Sequence, residues 1–336
     1  MRLNQSTILF FACILLTNTF HCAAQGKEGS SEALVERARS QQLWAEGTPP
    51  LRIRAEIQVA SASGDMAQGD YTYDWVSPSQ WREQIHFANF DRLRVHDANG
   101  YWQKSTLDYQ PALIYYLSGL LYLKPVLKVR ATQTLGKIKS REKDGLRQDC
   151  VEVKWPLAVD RILCFDDANG TLIRIEYPQA ERATPGITRI EFSDFHSAGG
   201  KLVPCEIRSF KSKNLMASVK VLEVSEVKEV NTTLFNAPQG AELWPQCDDM
   251  QDAVPIYRGG QNSALNPRAN RMPTRIILYG VVEADGTLSH VKVIQGADVN
   301  ANTIAFENFR RWRYKPAQCG QAPVRAETSM YFDFWF

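Results

Sequence analysis

The sequence predicts an α+β protein in which a large antiparallel β-sheet with few helices is followed by a small ββαβ domain. Three observations carry this expectation. "LRIRAEIQVA" alternates strictly, with Leu51, Ile53, Ala55, Ile57 and Val59 on one side and Arg52, Arg54, Glu56 and Gln58 on the other. That period of two belongs to a half-buried strand. Short β-rich runs then recur to about residue 235, punctuated by "DANG" at 97, "DANG" at 167 and "SAGG" at 197, turn chemistry that suits successive hairpins. The last block changes character and orders strand, "EADG" turn, strand, helix, strand.

Taken in order, "SSEALVERARSQQLW" spaces Leu34, Val35, Ala38 and Leu43 for a helix, with Ser30 or Ser31 as N-cap. After the strand at 51–59 come "WREQIHF", "DRLRVHD", "VLKVRAT", "TLIRIEY", "ITRIEF" and "ASVKVLEV", each a strand of the meander. "DYQPALIYYLSGLLYLKP" breaks the alternation and is too apolar for an exposed loop, so it is expected as a helix or lid packed on the sheet. Residues 237–252 lose periodicity and collect Pro, Gly and Asp, the composition of a linker. Beyond them, "TRIILYGVV" and "TLSHVKVIQ" form a hairpin. "ADVNANTIAFENFRRW" is a helix with Ile304, Ala305, Phe309 and Trp312 on one side, and "RAETSMYFDFWF" closes the chain. The expected domains are thus 32–236 and 253–336.

The chain has 336 residues, 44% apolar and 23% charged, which is enough for two globular cores. A net charge of +2 gives no reason to expect nucleic acid as a partner. Residues 1–24 read as a secretory signal peptide: Arg2 at the start, "ILFFACILL" as a short apolar core, and "CAA" as the cleavage region. An uncleaved anchor is the weaker alternative, because Thr17, Asn18 and Thr19 interrupt the run. Lipid attachment at Cys22 is weaker still, with Phe20 and His21 where small residues are needed. Export to a periplasmic or envelope location is the expectation.

Export places Cys150, Cys164, Cys205, Cys247 and Cys319 in an oxidising compartment. Cys150 and Cys164 flank a hairpin centred near Leu157 and are expected to face each other. Closing a loop of that size stabilises by roughly 3 kcal/mol. For the other three the preference is Cys247 with Cys319, leaving Cys205 a buried thiol. His86, His96, His196 and His290 are scattered and there is no CxxC, so no metal site is expected. There is also no GxSxG, HExxH or phosphate-binding glycine loop, and "DCVEV" and "CFDD", which set Cys150 and Cys164 near carboxylates, have no local histidine. Neither an enzyme nor a cofactor is expected.

The final block resembles the C-terminal domain of the TonB energy-transducer family. The resemblance rests on "VPIY", "VVEADGTLSHVKVIQG", the helix exit "TIAFENFRRWRYKPA" with Trp312, Tyr314 and Pro316, and the closing "APVRAETSMYFDFWF". "ANRMPTRI" replaces the Gly-rich entry of that family, and Cys319 is outside its pattern. Trp312 is expected to seal helix against sheet, and Pro316 to end the helical conformation. The resemblance implies capture of a transporter peptide by the last strand, through Thr328, Ser329, Met330, Tyr331, Phe332, Asp333 and Phe334. Edge strands present unpaired main chain that suits such capture. Pairing with a second copy, giving a homodimer, is the structural alternative. From residue 253 on, ten Lys and Arg oppose six Asp and Glu, with Arg310, Arg311, Arg313 and Lys315 clustered. This is the pattern of a solvated helix C-terminus. Force transduction is not expected, since the 16 residues of 237–252 reach about 55 Å at most.

An opening helix followed by a run of hairpins is similar in architecture to the half-open β-barrel of LolA, the periplasmic lipoprotein carrier. That resemblance implies a cavity for an apolar ligand, with Trp75, Trp81, Trp102, Tyr115 and Tyr116 as lining, against which stands an ordinary filled core. Together the expectations describe a non-enzymatic envelope protein that recruits a partner, such as an outer-membrane transporter, by its last strand. The alternatives are a lipid or lipoprotein carrier or sensor using the half-barrel, and a structural dimer.

Overall fold

The structure is a computed structural model of the chain. It describes residues 30–43, 47–60, 65–97, 100–121, 133–143, 145–154, 160–178, 188–245, 250–257 and 274–334. The expected signal peptide, "VLKVRAT" and Cys247 lie outside these residues. No described helix is long and apolar enough to cross a membrane.

Helix α1 (Ser31–Gln41) opens the described chain. The Ser30 side chain accepts from the Ala33 amide and satisfies one of the helix's free N–H groups, while Leu34, Val35 and Ala38 turn inward. The meander follows as β1 (Leu51–Ala60), β2 (Met66–Ser77), β3 (Gln80–Phe87), β4 (Phe90–Asp97) and β5 (Gly100–Ser105). After helix α2 (Ala112–Leu121) it resumes with β6 (Thr134–Lys143), β7 (Leu146–Lys154), β8 (Arg161–Asp166), β9 (Leu172–Glu176), β10 (Arg189–Ala198), β11 (Lys201–Lys211) and β12 (Asn214–Glu226). A short 3₁₀ turn, Thr232–Phe235, leads to β13 (Glu242–Trp244).

These strands make one antiparallel sheet of thirteen in the order β13-β5-β4-β3-β2-β1-β12-β11-β10-β9-β8-β7-β6. β1 pairs with β12, which closes a long-range loop in the middle of the sheet, but the outer strands β13 and β6 do not pair. The sheet is therefore open rather than a closed barrel. Part of the stretch expected as a linker is a strand: Glu242, Leu243 and Trp244 pair with Gln103, Trp102 and Tyr101 of β5. Three residues are too few to show a period, and Trp244 is held there by burial.

One face of the sheet carries the apolar residues of β1, each at most 3% exposed, together with Tyr71, Ile85, Val151, Val153, Leu163, Phe165, Ile175, Ile207 and Val219. Both α1 and α2 pack on this inner face, as their Leu34, Val35, Ile114, Leu117 and Leu120 belong to the same cluster. The outer face is charged. There the Cys150–Cys164 disulfide bridges directly opposed residues of β7 and β8. Nearby, burial raises the Glu176 carboxyl, but hydrogen bonds and charge from Arg141 and Lys143 outweigh it and hold the group below its usual range.

The C-terminal block comprises β14 (Val254–Tyr257), β15 (Thr274–Val282), β16 (Leu288–Gln295), helix α3 (Val299–Phe309), β17 (Arg313–Lys315), β18 (Ala317–Cys319), β19 (Ala322–Val324) and β20 (Ala326–Phe334). Asp298 caps α3 by accepting from the Asn300 and Ala301 amides. Ala301, Ala305 and Phe309, one per helical turn, pack on Ile276, Leu278 and Val282 of β15. Ile304, expected on that face, points to solvent at 40% exposure. Trp312 is buried as expected, but it lies past the end of the helix and is wedged 5.6 Å from Phe309 and 5.7 Å from Phe332, measured between ring centres. Its neighbour Tyr314 donates its backbone N–H to the Gly286 carbonyl, fixing β17 against the "EADG" turn.

Candidate functional site

Two features of this fold can bind something: the inner face beneath α2, and the edge of the C-terminal sheet. α2 reads "ALIYYLSGLL", without a charge in its length. Ile114, Leu117 and Leu120 are 0–2% exposed and press on β1, β11 and β12. Between Leu120 and the sheet lies a narrow space walled by Ile53, Ala55, Tyr71, Ile207, Val219 and Val221, too tight for a water molecule. The inner face is thus wholly apolar here, and its cover is one uncharged helix.

Toward β3–β5 the same face turns polar. Glu83, Arg92 and Arg94 stand on it side by side and are each at most 5% exposed. Charges this deep are stable only when paired and hydrogen-bonded. Arg92 donates to Glu83 at 3.5 Å, and Arg94 lies 3.9 Å from the same carboxylate. Arg94 also donates to the Gln103 side chain at 2.7 Å and to Glu327 of β20 at 3.3 Å. Tyr279 of β15 donates its hydroxyl to Glu327 at 3.1 Å, and Gln110, just before α2, donates to it as well. Burial first, then the Glu327 charge, pushes the Tyr279 hydroxyl far above its usual range, so it stays a donor.

Glu327 therefore anchors the C-terminal sheet to the inner face of the large one. Trp244, Tyr279 and Val281 form an apolar cluster there with Tyr101 and Ile294, and the Arg325 guanidinium sits 4.3 Å over the Trp244 ring. A cavity of about 390 Å³ opens beside the anchor, lined among others by Arg92, Lys104, Asp108, His290 and Arg325. The lid is tied in too: Tyr116 of α2 donates its hydroxyl to Gln295 of β16 at 3.1 Å.

The aromatic residues expected to line one cavity do not share one. Trp75 is on the inner face and lines a space of about 240 Å³ with Leu51, Leu234 and Phe235. Trp81 is on the same face but is stacked on Tyr73, His96 and Tyr101. Trp102 pairs with Val95, out of phase with Gln103, which puts it on the outer face, where it donates to Asp97 at 3.1 Å. A period-2 strand sends neighbouring residues to opposite sides, and only the register tells which. Tyr116 is spent on the bond to Gln295, and the Tyr115 side chain lies outside the described residues.

β20 is an edge strand. The C-terminal sheet runs β16-β15-β20, and β20 pairs with β15 and with no other described strand. Met330 and Phe332 turn toward α3. Ser329 and Tyr331 share the other side with Glu327, and Tyr331 is 37% exposed. Thr328 is opposite Gly280, while Asp333 and Phe334 continue the strand by their backbone.

No family model, that of the TonB C-terminal domain included, matches the chain, and no curated protein matches it in sequence. Among solved structures, a LolA superfamily protein from Nitrosomonas europaea is similar at 10% identity, covering 62% of this chain and 98% of that one with a TM-score of 0.42. A DUF1329 family protein from Desulfovibrio piger is similar at 10% identity, over 61% of this chain and 96% of that one, with a TM-score of 0.44. At these values the likeness decides nothing about what this chain binds.

One constellation escaped the sequence. Asp194, His196 and Cys205 bring their ligating atoms within 4.8 Å of one another across the β10–β11 hairpin. Cys205 is the free cysteine among the described residues, and it is buried; Cys150, Cys164 and Cys319 are all in disulfides. The available signal was "DFH" facing a cysteine across the Gly199-Gly200 turn. The missing one was the register: Ser193 pairs with Glu206 and Phe195 with Pro204, which sets Asp194 opposite Cys205 and His196 one pair further along the same face. Asp194 itself has a φ of 53°, in the left-handed region that aspartate adopts more readily than most residues.

Proposed function

We propose that this is a binding protein of the cell envelope whose inner sheet face accepts an apolar chain, such as the acyl part of a lipid or lipoprotein, when α2 moves aside. The observation that carries this is the cover itself. The stretch of the apolar inner face under α2 is closed by an uncharged helix over a space too tight for water. A dry, apolar site of this kind favours hydrocarbon over polar ligands. The ties from Tyr116 to Gln295 and from Gln110 to Glu327 link the lid region to the C-terminal sheet. Lid displacement would thus loosen that sheet's anchor, which gives the C-terminal block the role of a docking module that reports occupancy. The chemistry is binding and release, with no catalytic step.

The test is mass spectrometry of the full chain purified from its own envelope, followed by titration of the delipidated protein with a fluorescent fatty acid. A co-purified lipid in near-stoichiometric amount and saturable uptake are expected. Absence of both reduces the inner face to a filled core.

A second reading rests on a different observation, the unpaired edge of β20. Such an edge takes up an extended peptide by main-chain pairing, which is the partner recruitment that the TonB-like sequence pattern implies. Binding of extended peptides by the full chain, lost when Ser329→Pro removes an amide from β20, supports it. Concentration-dependent mass without peptide binding would instead make β20 a dimer edge.

A further inference from the structure

We infer that Asp194, His196 and Cys205 form a binding site for a single borderline-soft divalent cation of the zinc type. The three residues supply one oxygen, one nitrogen and one sulfur, the donor set that suits zinc and excludes magnesium and calcium, which want oxygen alone. The geometry is close to assembled. His196 Nε2 already stands 3.2 Å from Asp194 Oδ1, about the separation of two donors that share a tetrahedral ion at roughly 2 Å.

The rest of the triangle closes within 4.8 Å. The side chains that must move to tighten it, those of Asp194 and His196, are 64% and 65% exposed and free to do so. Cys205, which is fixed by burial, sets the position of the ion. The hairpin is held firmly on both flanks. Lys201 donates to the Ser40 carbonyl at 3.0 Å, and Val203 packs in a cluster with Leu43, Leu51 and Ile53. The unshifted register that joins Phe192 to Ile207 and His196 to Val203 places residues 194, 196 and 205 on the same face.

Three protein ligands leave the fourth tetrahedral position open to water or to a group from a partner. The sulfur ligand also explains how a thiol persists in a chain whose other described cysteines are oxidised. A cation on Cys205 would shield it from disulfide exchange, which needs a free thiolate.

The experiment uses the full chain, stripped of metal and kept in a non-chelating reductant, titrated with Co²⁺ and then with Zn²⁺. A thiolate-to-cobalt charge-transfer band that saturates at one equivalent and is displaced by Zn²⁺ is expected. The band should disappear in Cys205→Ser. In His196→Asn, whose exposed side chain puts the fold at no risk, affinity should fall at least about tenfold, the smaller loss typical of disturbing even an outer-shell partner. Absence of the band overturns the assignment, as does a band that survives in Cys205→Ser or an unchanged affinity in His196→Asn.

Discussion

The carboxylate of Glu327, on the last strand, lies 3.3 Å from the guanidinium of Arg94, on the fourth, and both are shielded from solvent. Residues 233 positions apart thus form the polar centre of the contact between the two sheets. Glu327→Ala leaves the Arg94 charge buried with only part of its pairing, and such changes cost about 3–5 kcal/mol. Urea denaturation should show that loss. Replacing both partners by apolar residues, Arg94→Met with Glu327→Leu, should recover most of it, since an ion pair and a hydrophobic pair of similar volume are near equal in stability. A double variant as unstable as the single one would mean that the contact does not depend on the pair.

Truncating the lid separates a carrier from a filled core. Leu117→Ala and Leu120→Ala should each destabilise by about 2–5 kcal/mol, the usual cost of a buried leucine. If the inner face takes apolar ligands, the space left under α2 should also raise uptake of a fluorescent fatty acid by the full chain. Destabilisation with no gain in uptake would count against the proposed function.

The turn at Gly286 is a backbone requirement. Its φ is +83°, and an added Cβ would meet the Tyr314 carbonyl oxygen at 2.1 Å. Gly286→Ala should therefore destabilise by more than about 1 kcal/mol, the scale of the glycine backbone effect alone. Hydrogen exchange should localise the change to β17, since the Tyr314 amide loses its Gly286 partner.

Removing the Cys150–Cys164 bridge by paired alanines should lower stability by roughly 3 kcal/mol, as the unfolded chain regains the freedom of a loop 14 residues long. Chemical denaturation under oxidising conditions checks this, and an unchanged midpoint would show that the hairpin is held by its pairing alone.

A hydrogen bond and then the charge of Asp91 raise the His86 imidazole above its ordinary value. The sign follows from the protonated form having the partner. The contribution is full below the ordinary histidine pKa and disappears as pH rises through the raised folded value. Proton NMR should find the His86 midpoint above that of a free histidine, and Asp91→Asn should bring it down. Both groups face water, so the global stability should hardly change.

Much of the fold was written in local pattern. Strict alternation from Leu51 to Val59 determines a strand with one buried face, because a period of two has no helical equivalent. "DANG" and "SAGG" mark hairpins, and the uncharged run from Ala112 to Leu121 can only cover something apolar. Opposition of Cys150 and Cys164 follows from two strands and one turn. What local pattern could not decide was which strands share an edge and in what phase. Register sent Trp102 to the outer face and Trp75 to the inner one. Three residues, Glu242 to Trp244, became a thirteenth strand because Tyr101 and Tyr279 offered burial, not because their sequence has a period. The register of the β10–β11 hairpin turned scattered polar side chains, Asp194 and His196, into one cluster with Cys205. The pairing of Arg94 with Glu327 is the same lesson at the longest range. Sequence determines what each segment can bury, and only the assembled sheets determine which buried charge meets its partner.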